Sequence, residues 1–200
     1  MRRSALRHAA IALAALALAA CATLNRPDEV APTEVSATGP FAIAGRLSAR
    51  RGSDGIAANF YWTHADGLDR IDLATPMGQV VARLEGDDTG VRVERPGGES
   101  GAYPNWSALT NAQFGVTIPV EGLASWIRGA ARPGANFSLE RDVQGRPAVL
   151  RQEAWEVVYA YPDEIASARP SRVTLRYPEV PPIEVRIVVD RWSASDDAKP

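Results

Sequence analysis

Apolar and polar residues alternate along most of the chain after residue 40. The first such segment has Phe41, Ile43, Leu47 and Ala49 on one side and Arg46 on the other. A period of two is typical of a β-strand with one buried face. The same pattern predicts further strands at 56–63, 70–73, 80–85, 91–93, 137–139, 148–152, 155–161, 172–177 and 183–190. Turn residues such as Asp66-Gly67 separate them, which favours antiparallel hairpins.

Two segments in the middle of the chain depart from this alternation. Residues 103–112 and 118–129 each suit a short helix. In the second, Pro119 lies near the start, where a missing N–H costs nothing, and Gly129 is placed to end the helix. Its apolar residues share one helical face: Val120, Leu123, Trp126 and Ile127.

These elements predict a mostly β, α+β fold. A sheet of about ten strands normally curls or splits. We therefore expect a curled antiparallel sheet, or incomplete β-barrel, covered by short helices. Several large aromatic residues fall on the inward faces, and they either fill a core or line an apolar cavity, which the pattern does not separate. They are Phe60, Trp62, Trp126, Trp155 and Tyr159.

The N-terminus has the parts of a secretory signal. Three arginines precede an apolar run at residues 9–20, which is too short to cross a bilayer as a helix. Leu18-Ala19-Ala20-Cys21 resembles the lipobox of bacterial lipoproteins. The resemblance implies cleavage before Cys21, two acyl chains on its sulfur and a third on its amino group. An ordinary signal peptide with an incidental cysteine is the alternative.

The predicted organisation is a signal peptide at 1–20, a lipidated Cys21 with a flexible tether at 21–40, one domain at 41–192 and a loose tail at 193–200. The tether has three prolines and few large apolar residues. Fully extended, it reaches roughly 60 Å. The chain is long enough for one domain with a sizeable core.

Charge and rare residues exclude several classes of function. Removing the signal lowers the net charge from −2 to −5, because it removes three arginines and no acid. A negative chain argues against a nucleic-acid partner. Cys21 is the single cysteine, so no disulfide forms within the chain, and no His/Cys cluster has metal-ligand spacing. We expect no metal and no cofactor.

Catalysis is not demanded by any motif. His64 is the one histidine outside the signal, and we expect an exposed loop residue there, with a hydrolase using His64 as the alternative. No G-x-S-x-G nucleophile elbow occurs, and Gly97-Gly98-Glu99-Ser100-Gly101 lacks the lysine of a phosphate loop. We therefore expect a protein that is not an enzyme.

Thr75-Pro76-Met77-Gly78 predicts a type I turn between two strands. Met77 would then lie at a hairpin tip, where polar residues are usual. Its side chain either stays exposed to contact a partner or folds back onto the sheet edge. The residues alone leave both readings open.

Several motifs together resemble the LolB family of outer-membrane lipoprotein receptors. The resemblance runs from Phe41 to Trp192. It rests on the lipobox and on these segments in order: Gly45-Arg46-Leu47, Pro76-Met77-Gly78, Ile118-Pro119-Val120 with Leu123 and Trp126-Ile127-Arg128-Gly129, Trp155-Glu156-Val157-Val158-Tyr159, and Trp192. The proline-to-glycine segment at 119–129 is the most specific of them.

The resemblance implies a half-open barrel whose cavity holds acyl chains. It implies transfer of triacylated lipoproteins from the periplasmic carrier LolA to the inner leaflet of the outer membrane. It also implies a loop of Pro76, Met77 and Gly78 that contacts membrane lipid or cargo, with Met77 exposed at its tip. The expected acyl-contacting residues are Phe60, Trp62, Ile71, Leu73, Trp126 and Trp155. We expect a monomer anchored to the outer membrane through Cys21, on its periplasmic face.

One departure concerns the lid of the cavity. The best-known family members have a helix before the first strand, whereas residues 25–40 carry prolines and would form it poorly. We expect a smaller lid or none. The alternative function is a structural or envelope-assembly lipoprotein with a filled core.

Overall fold

The computed structural model describes residues 39–114, 117–118, 120–162 and 169–193. Eleven strands and two helices are present in these ranges. The first six strands are β1 (Phe41–Arg51), β2 (Asp54–Ala65), β3 (Leu68–Ala74), β4 (Val80–Gly86), β5 (Val91–Glu94) and β6 (Ser100–Tyr103). The helices α1 (Trp106–Phe114) and α2 (Val120–Trp126) follow. The last five strands are β7 (Phe137–Arg141), β8 (Pro147–Gln152), β9 (Trp155–Ala160), β10 (Arg172–Tyr177) and β11 (Ile183–Ser193).

All eleven strands form one antiparallel sheet in the order β6-β5-β4-β3-β2-β1-β11-β10-β9-β8-β7. Strands β6 and β7 do not pair with each other, so the barrel is incomplete. The predicted fold class is therefore confirmed, with one strand more than expected. The additional strand is β6, whose Ser-Gly-Ala-Tyr sequence has no apolar alternation.

The first and last strands pair at the middle of the sheet. Their register shifts between Ala44 and Gly45, where Asp190 of β11 is the extra residue. Because one additional residue reverses which face a side chain points to, the bulge turns Trp192 toward the buried face. Its indole packs against Phe41, with ring centroids 6.1 Å apart.

The close approach at this bulge requires glycine at position 45. A Cβ added to Gly45 would lie 2.0 Å from the Val188 carbonyl oxygen. We expect Gly45→Ala to lower the free energy of unfolding by about 3 kcal/mol, because the two central strands must separate. Gly101→Ala is the control, since its Cβ would meet only the Tyr103 ring, at 3.3 Å. Equal urea midpoints for the two variants would contradict this explanation.

Both helices pack on the inner face of the sheet. Trp106 of α1 lies against Gly86 of β4. The ring centroids of Trp126 in α2 and Trp155 in β9 are 6.1 Å apart. The helices are shorter or shifted relative to the predicted segments, since α1 begins at Trp106 and α2 ends at Trp126. The buried aliphatic residues of β10 and β11 complete the core between them.

Ion pairs cover the outer face of the sheet. Across five strands, carboxylates and guanidinium groups alternate in a row formed by Glu140, Arg151, Glu156, Arg176 and Glu184. Each pair is exposed and contributes less than about 1 kcal/mol. The row keeps this face polar, so the apolar side of the sheet is the inner one.

Several predictions fall outside the described residues. The signal peptide, Cys21 and all but the last two residues of the tether lie in residues 1–38, and residues 194–200 hold most of the predicted tail. They stay predictions. In the described part, no helix is long and apolar enough to cross a membrane.

Candidate functional site

An apolar strip on the inner face of β1–β4 stays half-buried. Its residues pair across strands, as Ile71 does with Leu84 and Leu73 with Ala82, so their side chains share one face. We call this set the inner strip: Leu47, Ala49, Ile71, Leu73, Ala82 and Leu84. These six residues keep partly accessible apolar surface on the inner face.

The six predicted acyl-contacting residues divide into two groups. Ile71 and Leu73 belong to the inner strip. The other four are at most 6% exposed, and they are Phe60, Trp62, Trp126 and Trp155. These four belong to the buried core against which the strip packs, and a contact with acyl chains stays a prediction for all six.

Two of these tryptophans are held by polar side chains. The Trp62 indole N–H donates to Asp69 Oδ1 at 2.7 Å, and the Trp126 N–H donates to Gln152 Oε1 at 2.8 Å. Gln152 is itself buried and also bonds the backbone of Arg132 in both directions. Because buried polar groups with partners have fixed geometry, these indoles are rigid walls rather than movable side chains.

Three clefts open around Ile183 at the start of β11. The first, about 250 Å³, runs along the end of the β1–β2 hairpin to Ile118. The second, about 790 Å³, lies between the β1–β2 turn and the β10–β11 loop. The third, about 460 Å³, is lined by Trp155 and the polar side of α1. Ala49 of the inner strip lines the first cleft, which connects the strip to this end of the sheet.

The β3–β4 loop carries Met77 fully into solvent. Its side chain is 96% exposed. The Gly78 N–H donates to the Thr75 carbonyl at 2.8 Å, and Gly78 has a φ of +86°. Met77 itself has no positive φ, so the turn is type I followed by a left-handed glycine. Of the two readings left open by the sequence, the structure shows the exposed one.

A buried polar cluster anchors the start of β1. Asp69 is 4% exposed and accepts the Trp62 indole N–H, while His64 Nδ1 lies 2.9 Å from the same oxygen. The Phe41 ring stacks on His64 and lies under the Arg128 guanidinium, at 5.1 Å from its carbon. We call Phe41, Trp62, His64, Asp69 and Arg128 the Asp69 cluster.

Burial and charge oppose each other at Arg128. Burial lowers the pKa of its guanidinium, and the Asp69 carboxylate counteracts this shift. Arg128 also donates to the Gly39 carbonyl at 2.6 Å and to the Ala124 carbonyl at 3.0 Å. Arg128, two residues after the end of helix α2, therefore ties the entry of the first strand to the inner face.

The structure corrects the prediction for His64. The residue lies in strand β2, and its side chain is 19% exposed rather than free in a loop. Sequence reasoning missed Asp69, because an acidic residue two positions after a turn normally faces water. The signal that could have indicated it is the alternation itself, which places Asp69 on the same face as Ile71 and Leu73.

The described chain matches a known protein family over most of its length. The family model for "Outer membrane lipoprotein LolB" covers residues 39–192. The chain belongs to the LolB family. Outer-membrane lipoprotein LolB of Azoarcus sp. (strain BH72) is 35% identical over 80% of each chain. The protein of the same name from Thiobacillus denitrificans is 32% identical over 87% of this chain and 90% of the other.

Solved structures support the fold alone. A LolA superfamily protein from Nitrosomonas europaea aligns with a TM-score of 0.50 at 8% identity, over 80% of this chain and 87% of the other. A DUF1329 family protein from Desulfovibrio piger aligns with a TM-score of 0.52 at 10% identity, over 82% and 89%. Membership of the LolB family makes the chain an outer-membrane lipoprotein with a role in lipoprotein localisation.

Proposed function

We propose that the protein accepts acylated lipoproteins from a LolA-type periplasmic carrier and inserts them into the inner leaflet of the outer membrane. The observation that carries this proposal is the inner strip, which keeps apolar surface accessible inside an open sheet. A protein with only a structural role has no need of such a surface.

Acyl chains are the ligands that suit the strip. Its residues are aliphatic, and the indole N–H groups of Trp62 and Trp126 are already hydrogen-bonded within the protein. An acyl chain placed there is removed from water, and each buried CH₂ group contributes about 0.8 kcal/mol of binding free energy. We propose Ile71 and Leu73 as direct contacts and Phe60, Trp62, Trp126 and Trp155 as the walls behind them.

Delivery requires a second element, because the bound chains must leave for the bilayer. We propose that Met77 on the β3–β4 loop meets the lipid surface, with Cys21 holding the protein at the same membrane. Moving the chains directly from cavity to cavity and then to lipid keeps them out of water throughout. The transfer then runs downhill and needs no nucleotide.

A handover assay tests the proposal. The mature chain with Cys21→Ala is mixed with carrier loaded with a triacylated lipoprotein and is then recovered by its tag. We expect lipoprotein to move to the recovered chain without nucleotide. A folded chain that recovers none would overturn the receptor function.

The buried state of four predicted contact residues favours a second candidate, a structural lipoprotein with a filled core. The two functions differ in their response to a fluorescent fatty acid. The receptor binds it and releases it when carrier-delivered cargo arrives. The structural protein leaves the probe in water, with unchanged emission.

A further inference from the structure

The β10–β11 loop presents a second, fully exposed apolar tip. Val180 is 92% exposed, and the loop sequence is Pro178-Glu179-Val180-Pro181-Pro182. Single exposed apolar residues are common on protein surfaces and need no explanation. Val180 differs in its position, in the build of its loop and in its charge environment.

The register of the strands gives the position of the Val180 loop relative to the Met77 loop. Met77 and Val180 lie on loops at the same end of the antiparallel sheet. At the base of the Met77 loop, Ala74 pairs with Asn59, which pairs with Arg46 of β1. At the base of the Val180 loop, Tyr177 pairs with Ile183, which pairs with Arg51 of β1.

Along the strand direction, the two loop bases are therefore offset by the five residues from Arg46 to Arg51, which is about 17 Å. Across the sheet, they are four strand spacings apart, which is about 19 Å. The resulting slope of about 42° falls within the tilt of strands in barrels, about 35–45°. A line joining the two loops is thus roughly perpendicular to the barrel axis, and both tips project from one rim. Measured along the sheet they are about 25 Å apart.

The loop is built to stay in place. Three of its five residues are prolines, which fix φ and have no N–H that would require water. The Arg51 guanidinium lies 3.3 Å from the Glu179 carboxylate, which neutralises the one acid of the loop. Gly52 of the β1–β2 turn packs beside Pro181, since a Cβ on it would be 3.3 Å away. These features make the tip apolar, rigid and uncharged overall.

We propose that Val180 is a second contact with the lipid bilayer, so that the domain rests on the membrane through two tips of one rim. This inference deepens the proposed function and rests on it. Two contact points hold the rim, and with it the clefts around Ile183, against the lipid surface. One tip alone would leave the domain free to tilt about its loop.

Lipid is the occupant that the chemistry favours. A protein partner would need polar groups and shape around the tip, whereas the bilayer accepts a small neutral apolar tip without them. Because the Glu179 charge is paired, contact does not depend on anionic lipid, and we expect little effect of salt on it.

Val143 provides a matched control. It is also valine, it is 97% exposed, and it lies in the β7–β8 loop at the opposite end of the sheet. The lipidated full chain, with Val143 or Val180 replaced by cysteine, is labelled with an environment-sensitive dye. It is then reconstituted in phosphatidylethanolamine/phosphatidylglycerol vesicles that contain nitroxide lipid.

We expect quenching of the dye at position 180 and at a matching cysteine at position 77, with the dye at position 143 unquenched. Equal quenching at 180 and 143 overturns the inference, whatever the dye at 77 reports. Because the dye is itself apolar and could bind lipid, a second experiment uses no dye. It compares the vesicle binding of serine variants in the unlipidated Cys21→Ala chain. There Val180→Ser should weaken binding about fivefold and Val143→Ser should leave it unchanged; equal effects of the two changes count against the second contact.

The proposed function is tested separately by the handover of cargo from the carrier. If Val180→Ser leaves vesicle binding intact while handover proceeds, the second contact is wrong and the receptor function stands. If handover fails while the tip is quenched by lipid, the receptor function is wrong and the membrane contact stands.

Discussion

Met77→Glu is expected to accept cargo normally and to fail in delivery. The side chain is 96% exposed and the turn around it is held by backbone bonds and by Gly78, so the substitution should leave stability within about 0.5 kcal/mol. At the lipid surface, however, a carboxylate replaces an apolar group and must be desolvated or stay out. We expect the rate of lipoprotein transfer into vesicles to fall at least about tenfold, which corresponds to about 1.4 kcal/mol.

The measurement separates the two steps. Cargo moving from carrier to protein is followed by pull-down, and cargo moving from protein to vesicles is followed by flotation. Val143→Glu introduces the same charge at a valine of equal exposure on the opposite end of the sheet. If both variants deliver at the wild-type rate, Met77 has no role at the membrane.

Asp69→Leu is expected to be the most destabilising single change in the Asp69 cluster. It removes the acceptor of the Trp62 indole and the carboxylate that faces the buried Arg128. Removing one member of a buried charged group typically costs about 3–5 kcal/mol, because the other charge stays buried. The free energy of unfolding from urea titration should fall by that amount.

Asp72→Asn is the control on the same strand. Its carboxylate lies 3.7 Å from the Arg83 guanidinium, and both side chains are exposed. We expect a change below about 1 kcal/mol. Similar losses for Asp69→Leu and Asp72→Asn would show that the cluster contributes no more than a surface pair.

Strand positions followed from the sequence wherever apolar residues alternated over four or more positions. In β1, β2 and β11 the period is long enough to identify both the strand and its inner face. Strand β6 lacks this signal because Ser100 and Gly101 carry little side chain, and β6 forms by pairing with β5. Its existence depends on a neighbour, which a local pattern does not contain.

The candidate site was predictable in part. The turn type at Met77 follows from Pro76 and Gly78, which are local. Its exposure depends on whether any other element reaches the tip, which is a property of the assembled sheet. Burial of Trp62 and Trp126 likewise depends on Asp69 and Gln152, which are distant in sequence or placed by the turn between two strands.

The pairing of β1 with β11 has a consequence for export. Among the described strands, this pair alone joins the two halves of the sheet, and its residues Arg51 and Ile183 are separated by most of the domain. In a chain threaded across a membrane from its N-terminus, β2 pairs with one edge of β1, and the other edge stays unpaired until the last strand has emerged. Such long-range pairing is slow to form. The exposed edge of β1 is therefore the surface that a periplasmic folding helper would have to cover during secretion.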